Sequence, residues 1–111
     1  MSEKSALGEF EHQVLLATLR LGAEAYSVSI FSELESLVGR DLSLAAVYVA
    51  LRRLEKKGLV RSRLVEPRRD SAAIHPRRYV RLTPAALRRL KQSRQTFFRL
   101  WDGVEPLLDE S

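Results

Sequence analysis

Three segments with the apolar spacing of helices, each followed by a glycine, precede a stretch in which apolar and polar residues alternate. Glycine most readily takes the left-handed conformation that ends helices, so each glycine predicts a helix end. After the third glycine the apolar period changes from three or four to two, which is typical of strands. The sequence therefore predicts three helices and then a β-hairpin. The three glycines are Gly22, Gly39 and Gly58.

The apolar faces of these helices predict the core. The first helix spans residues 9–21, the second begins at about Ser27 and the third follows Ser43; both serines are candidate N-caps. The first helix presents Phe10, Val14, Ala17 and Leu21, with Leu15 and Leu16 widening the stripe. The second presents Ile30, Phe31, Leu34, Leu37 and Val38. The third presents Leu44, Val47, Leu51 and Leu54.

Two strands and a last helix follow. Val60, Ser62 and Leu64 alternate with Arg61, Arg63 and Val65, and later Val80 and Leu82 alternate with Tyr79 and Arg81. Residues 66–76 suit a solvated hairpin loop, and Thr83-Pro84 is a strong helix start, for a helix that runs to about Asp102. This order predicts a mainly α fold with a small β-hairpin, a winged helix-turn-helix. We expect residues 1–83 to form a DNA-binding domain and residues 84–111 to form a dimerisation helix and tail.

Basic residues are concentrated in the middle of the chain. Residues 40–99 hold seventeen Lys or Arg against four acids, a net +13, while residues 1–39 and 100–111 are each −4, which gives the +5 of the whole chain. A solvated surface usually mixes its signs, so this asymmetry indicates a polyanionic partner, in this fold double-stranded DNA.

The outward face of the third helix is the first candidate DNA surface. It carries Ala45, Ala46, Val49, Arg52, Arg53 and Lys56, with Tyr48 at its border. Small residues near the helix start allow a close approach to the major groove, the two arginines can reach phosphates or guanine, and Val49 can touch a thymine methyl. The alternative is an ordinary charged, solvated helix face.

Arginines of the hairpin are the second candidate surface, because a planar guanidinium suits phosphates and narrow minor grooves. The candidates are Arg61, Arg63, Arg68, Arg69, Arg77 and Arg78.

The last helix carries an apolar seam with the alternating three- and four-residue spacing of helices that pack along one another. Its members are Leu87, Leu90, Arg94, Phe97, Trp101, Val104 and Leu108, with Phe98 beside it. We expect a dimer interface of Leu87, Leu90, Phe97, Phe98, Trp101 and Val104; the alternative is that the helix folds back on the first helix of its own subunit. A twofold dimer would place two reading helices about 34 Å apart on a palindromic operator.

Other function classes find no support in the sequence. There is no cysteine, and His12 and His75 stand alone, so no metal site, cofactor site or catalytic residue is predicted, and the chain is not expected to be an enzyme. It shows no membrane span or signal peptide, so we expect a cytoplasmic protein. A protein-interaction adaptor with the same fold is the main alternative. RNA binding is weaker, because Tyr79 is the one aromatic residue on the strands.

In its helices, hairpin and the start of its last helix the chain resembles the PadR family of transcriptional regulators. The resemblance rests on LGEFEHQVLLATLRLGAEAYSVSI, SLAAVYVALRRLEKKGLVRSR and RRYVRLTPAAL. It implies a dimeric DNA-binding regulator, usually a repressor, with DNA roles for Ser43, Tyr48 and Arg52. The chain departs from the family in its wing loop, EPRRDSAAIHP, which lacks the glycine-rich tip, and in having Tyr26-Ser27 where Tyr-Gly is favoured. It resembles the short subfamily with a single C-terminal helix, in some members of which a flat aromatic effector binds near tryptophan, here Trp101.

Overall fold

The computed structural model describes residues 6–39, 41–67 and 75–110 and contains five α-helices and one hairpin within these ranges. The helices and strands are α1 (Glu9–Leu21), α2 (Ser27–Leu37), α3 (Leu44–Lys56), β1 (Val60–Val65), β2 (Arg77–Leu82), α4 (Pro84–Trp101) and α5 (Glu105–Asp109), with a 3-10 turn at Gly22–Glu24. The predicted mainly α fold with a hairpin is confirmed. The short helix α5 was not predicted.

The hairpin is antiparallel and is extended on one side by the segment between α1 and α2. Its register runs from Val60 opposite Leu82 to Val65 opposite Arg77. The N–H of Val80 donates to the carbonyl of Ala25 at 2.9 Å, and Tyr26 forms a bridge with Tyr79. Strand β2 therefore lies between β1 and this segment, which fixes the hairpin to the helical part of the fold.

The core lies between the first three helices and the inner side of the hairpin. Val14, Leu15, Ile30, Val47 and Leu54 are fully buried, as predicted for their helices. Ala86 and Leu90 of α4 belong to the same core, so the first turns of α4 pack on their own subunit. Leu90 is 7% exposed, which corrects its assignment to the dimer seam.

Of the two serines predicted as N-caps, Ser43 is confirmed and Ser27 is not. Ser43 caps α3, since its Oγ accepts a hydrogen bond from the N–H of Ala46 at 3.0 Å. At α2 the cap is Tyr26 and not Ser27. The N–H of Tyr26 donates to Ser29 Oγ at 2.9 Å, so the serine that satisfies this helix start lies inside the helix, where spacing alone did not indicate it.

Several apolar residues predicted to be buried are exposed. Leu37 and Val38 at the end of α2 and Leu16 on α1 are all exposed. Periodicity gives the apolar face of a helix but not the point along its axis at which the neighbouring elements end, and in α2 the last buried residue is Leu34.

The apolar seam of the last helix is interrupted near its end. Helix α4 ends at Trp101, and Gly103 takes a φ of +78° in the turn that follows. Val104 and Leu108 therefore lie outside α4, and the predicted continuous seam to residue 108 is wrong. Gly103 ends the helix because only glycine takes positive φ at little cost.

Candidate nucleic-acid interface

Helix α3 presents the predicted polar face to solvent. Val47, Ala50 and Leu54 anchor its opposite side in the core. This anchoring fixes the rotation of the helix, so the outward residues are held in one orientation. Exposed on this face are Ala45, Tyr48, Val49, Arg52, Arg53 and Lys56, and Ala46 is half-buried. The sequence-predicted α3 candidates thus share one surface.

The turn after α3 is fixed to the start of α1. The ammonium of Lys57 donates to Glu11 Oε1 at 2.6 Å and to the carbonyl of Ala6 at 2.6 Å. Burial by itself raises the pKa of Glu11, but the hydrogen bonds from Lys57 and from the N–H of Gly8, with the Lys57 charge, outweigh it and hold this pKa below its ordinary value. This pair, which the sequence analysis missed, orients the end of α3.

A cleft of about 340 Å³ separates the outward side of α3 from the inner side of the hairpin. Tyr48, Arg52 and Glu55 line it from the helix, and Ser62 and Arg78 line it from the strands. Ser62 Oγ donates to Glu55 Oε2 at 3.3 Å, and Arg78 Nη1 donates to Ser62 Oγ at 3.3 Å. Helix α3 and both strands are therefore joined by side-chain hydrogen bonds. The sequence analysis did not predict a role for Glu55 or Ser62.

The hairpin arginines were predicted to form one candidate surface, but the described ones divide between the two faces of the hairpin. Ser62 faces Glu55 of α3, so its neighbours Arg61 and Arg63 lie on the other face, because successive strand residues alternate. The register places Arg81 opposite Arg61 and Tyr79 opposite Arg63 on that same face. Arg78 shares the inner side with Arg52, whereas Arg77 lies on the outer side. Arg68 and Arg69 fall outside the described residues.

Arg77 is held by two tyrosines on the outer side. Its guanidinium carbon lies 4.6 Å from the centroid of the Tyr26 ring, and its Nη1 donates to the Tyr79 hydroxyl at 3.5 Å. The hydrogen bond to Tyr79 and the neighbouring Tyr26 raise the pKa of Arg77 above its ordinary value. The Tyr26 and Tyr79 rings themselves meet edge to face, with centroids 5.5 Å apart. Arg77 therefore has partners within its own subunit.

The second half of α4 projects an apolar surface that its own subunit leaves uncovered. Phe98 is 79% exposed and Trp101 is 43% exposed. The first turns of α4 pack on their own subunit, as in the predicted alternative in which the helix folds back on α1. The second half of α4 does not. Leu87, Phe97 and Val104, the other seam candidates, are exposed as well. Exposed apolar residues that the sequence analysis did not select are Leu19, Val28, Leu100 and Leu107.

The described ranges carry neither a metal-binding cluster nor a helix suited to cross a membrane. Within residues 6–39, 41–67 and 75–110 no group of three or more His, Asp or Glu could hold a metal ion. None of the helices in that part of the chain combines the length and apolarity that a membrane crossing requires.

Comparison with known proteins identifies the family. Residues 15–92 match the family model described as the transcriptional regulator PadR-like family. A PadR family transcriptional regulator of Eggerthella lenta DSM 2243 is 29% identical and superposes with a TM-score of 0.62, over 90% of this chain and 87% of that one. No curated protein gave a match.

Two further solved structures share the fold. A PadR family transcription regulator of Clostridium difficile R20291 is 21% identical, with a TM-score of 0.67 over 87% of this chain and 97% of that one. A PadR-like transcriptional regulator of Bacillus cereus ATCC 14579 is 20% identical, with a TM-score of 0.69 over 89% and 90%. The matched residues include α2, α3, the hairpin and the start of α4, where the winged helix lies, and the chain belongs to the PadR-like family of transcriptional regulators.

Proposed function

We propose that this protein is a cytoplasmic, homodimeric repressor that binds a palindromic operator through α3 and the inner side of its hairpin. In this proposal residues 1–83 bind DNA, and residues 84–111 form the dimerisation helix and tail. The α3 contacts come from Ser43, Tyr48, Val49, Arg52, Arg53 and Lys56, and the inner side of the hairpin adds Arg78.

The single observation that carries the proposal is the exposed face of α3 beside the cleft. Arg52 and Arg53 stand on an outward face whose opposite side is fixed in the core, and Arg78 lies across the cleft from Arg52. A helix with exposed arginines and small residues near its start suits the major groove, and an arginine on the adjoining strand can contact the flanking phosphates. Preorganisation by the core and by the Glu55–Ser62–Arg78 contacts reduces the entropy lost on binding.

Dimerisation is supported by the uncovered apolar surface of α4. Phe97, Phe98 and Trp101 are 52%, 79% and 43% exposed, and complete burial of a fully exposed side chain of this kind gains roughly 1.5–3 kcal/mol, so a covering partner is favoured. A second copy offers the same surface, and an isologous interface makes it self-complementary. Two reading helices related by a twofold axis would in turn select a palindrome.

The test is selection of bound fragments from the source genome, followed by footprinting and transcription in vitro. We expect one palindromic footprint that overlaps a promoter, with less transcript when the protein is present. Affinity should fall steeply with salt, at a log–log slope of about −0.9 for each phosphate contact. A salt slope near zero, or no preference over random duplex, would overturn the proposal and favour a protein-interaction adaptor.

An effector site is the second part of the proposal. Trp101 lies among exposed apolar residues of α4, and a flat aromatic compound held between two such surfaces would change the spacing of the reading helices. Binding there should release the operator, because a ligand shifts an equilibrium by its differential affinity for the two states.

A further inference from the structure

The outer face of the hairpin carries a second concentration of arginines, separate from α3. Arg61, Arg63 and Arg81 are exposed there beside Arg77. We call Arg61, Arg63, Arg77 and Arg81 the outer arginine surface. It borders a groove of about 710 Å³ whose other wall is the 3-10 turn, and among the described residues Glu24 is the one acid that lines it. This surface is therefore strongly cationic.

The arrangement of these arginines is unfavourable in the free protein. Arg61 and Arg81 stand directly opposite each other on neighbouring strands, and like charges in that position repel. The ion pairs among the described residues are Arg20–Glu33 and Lys57–Glu11, and the charge of Glu24, which acts on Arg77, offsets only part of the excess on the outer arginine surface. Bound anions would relieve this repulsion, which indicates a polyanionic ligand.

The outer arginine surface lies on the side of the hairpin that faces away from α3. Ser62 points from β1 towards α3, and Arg61 and Arg63 point the opposite way. A straight duplex that lies against α3 and Arg78 contacts the inner side of the hairpin, and the thickness of the sheet separates it from the outer arginine surface. A polyanion that covers the outer side is therefore expected to be a different segment.

We propose that the outer arginine surface binds a second DNA duplex, so that the dimer can bridge two segments. The proposal rests on the proposed function, in which α3 holds the operator. Guanidinium groups form bidentate hydrogen bonds with phosphate, and in β1 the two arginines are about 6.6 Å apart along the strand, which suits a row of backbone phosphates and not a compact anion.

The experiment measures capture of a second duplex. A duplex that just spans the selected operator is fixed to beads and saturated with protein, and a labelled duplex of unrelated sequence is then added. We expect the native protein to capture the label. The variant Arg61→Gln/Arg63→Gln/Arg81→Gln should keep its operator affinity and lose capture, and the log–log salt slope of capture should become shallower by up to about 2.7 per subunit.

Two control variants separate specific effects from loss of charge or fold. Arg88→Gln/Lys91→Gln/Arg99→Gln removes the same charge from exposed positions of α4 and should keep capture. Arg61→Lys/Arg63→Lys/Arg81→Lys keeps the charge and should retain most of it. The glutamine variant should melt no lower than the native protein, because it removes the repulsion between Arg61 and Arg81.

The outcomes are distinct. If no operator can be selected, the proposed function fails. If the operator is bound but the saturated protein captures no labelled duplex, this inference alone is overturned. It is also overturned if the glutamine variant loses operator affinity as strongly as capture, because the outer arginines would then contact the operator or its flanks.

Discussion

Lys57 and Glu11 form an ion pair of 2.6 Å that joins the first turn of α1 to the turn between α3 and β1. The carboxylate also accepts a hydrogen bond from the N–H of Gly8 at 3.1 Å. Lys57 directly precedes Gly58, at which the chain leaves α3 for the hairpin. The pair therefore holds the end of α3 and the start of the hairpin against α1. The geometry of the candidate interface therefore depends on a contact outside it.

Replacing Glu11 with Gln should lower the free energy of unfolding at neutral pH by about 1–3 kcal/mol, the range for a charge-assisted hydrogen bond that loses its charge. The folded-state pKa of Glu11 is below its ordinary value, so its contribution is complete above that value and is lost as the pH falls through the folded-state pKa. Denaturant unfolding from neutral pH to below about pH 4 should show the difference between native and variant protein shrinking. Arg20→Gln, which removes a more exposed ion pair, is the control and should cost less than about 1 kcal/mol.

Replacing Thr83 with Ala should destabilise the fold more than replacing Ser43 with Ala. Thr83 Oγ1 accepts from the N–H of Ala86 at 3.2 Å and donates to the carbonyl of Gly58 at 2.7 Å, and the residue is buried. Ser43 is exposed and makes the single cap bond to Ala46. We expect about 2 kcal/mol for Thr83 and about 1 kcal/mol for Ser43 in thermal or urea unfolding. Equal losses would show that the bond to Gly58 contributes nothing.

Replacing Arg52 with Ala should weaken operator binding by about 1–3 kcal/mol if the guanidinium contacts a base edge, and should relax the preference at one position. If it contacts a phosphate, all sequences should be affected alike and the salt slope should fall by about 0.9. Fluorescence anisotropy with single-base variants of the operator separates the two cases. Arg88→Ala on α4 is the matched control, and an equal effect of both substitutions would remove Arg52 from the interface.

Replacing Phe98 with Glu should convert a dimer into monomers. The side chain is the most exposed large apolar residue on α4, and a carboxylate buried at a twofold interface would have no partner. Light scattering coupled to size-exclusion chromatography measures the mass, and anisotropy measures the accompanying loss of operator affinity. Gln95→Glu adds the same charge to an exposed position outside the seam and should leave the dimer intact. A monomeric native protein would contradict this prediction.

The fluorescence of Trp101, which is the one tryptophan of the chain, should be quenched by planar aromatic compounds that enter between two α4 helices. A titration of the native protein with a panel of such compounds measures this, and the monomeric Phe98→Glu variant should bind them weakly. Equal quenching of both proteins would place the compounds on an isolated surface and not between subunits.

Much of the fold was determined by the sequence alone, because its elements depend on local physics. Periodicity and glycine position predicted α1, α2 and α3, alternation predicted both strands, and Thr83-Pro84 predicted the start of α4. These features act over a few residues, so they can be recognised without knowing what surrounds them. The outward face of α3 was also predictable, because Val47 and Leu54 fix the side of the helix that faces the core.

The way in which the functional side chains are combined depends on long-range packing and strand register. In the sequence the hairpin arginines form one set. In the structure Arg61 lies opposite Arg81 across the strands, and Ser62 hydrogen-bonds to Glu55 on the other face, so the arginines divide between two faces. The contact between Glu11 and Lys57 spans 46 residues, and the burial of Leu90 depends on where α4 crosses the core. A one-residue change of register reverses every strand side chain, and neither register nor helix crossing is encoded in local spacing.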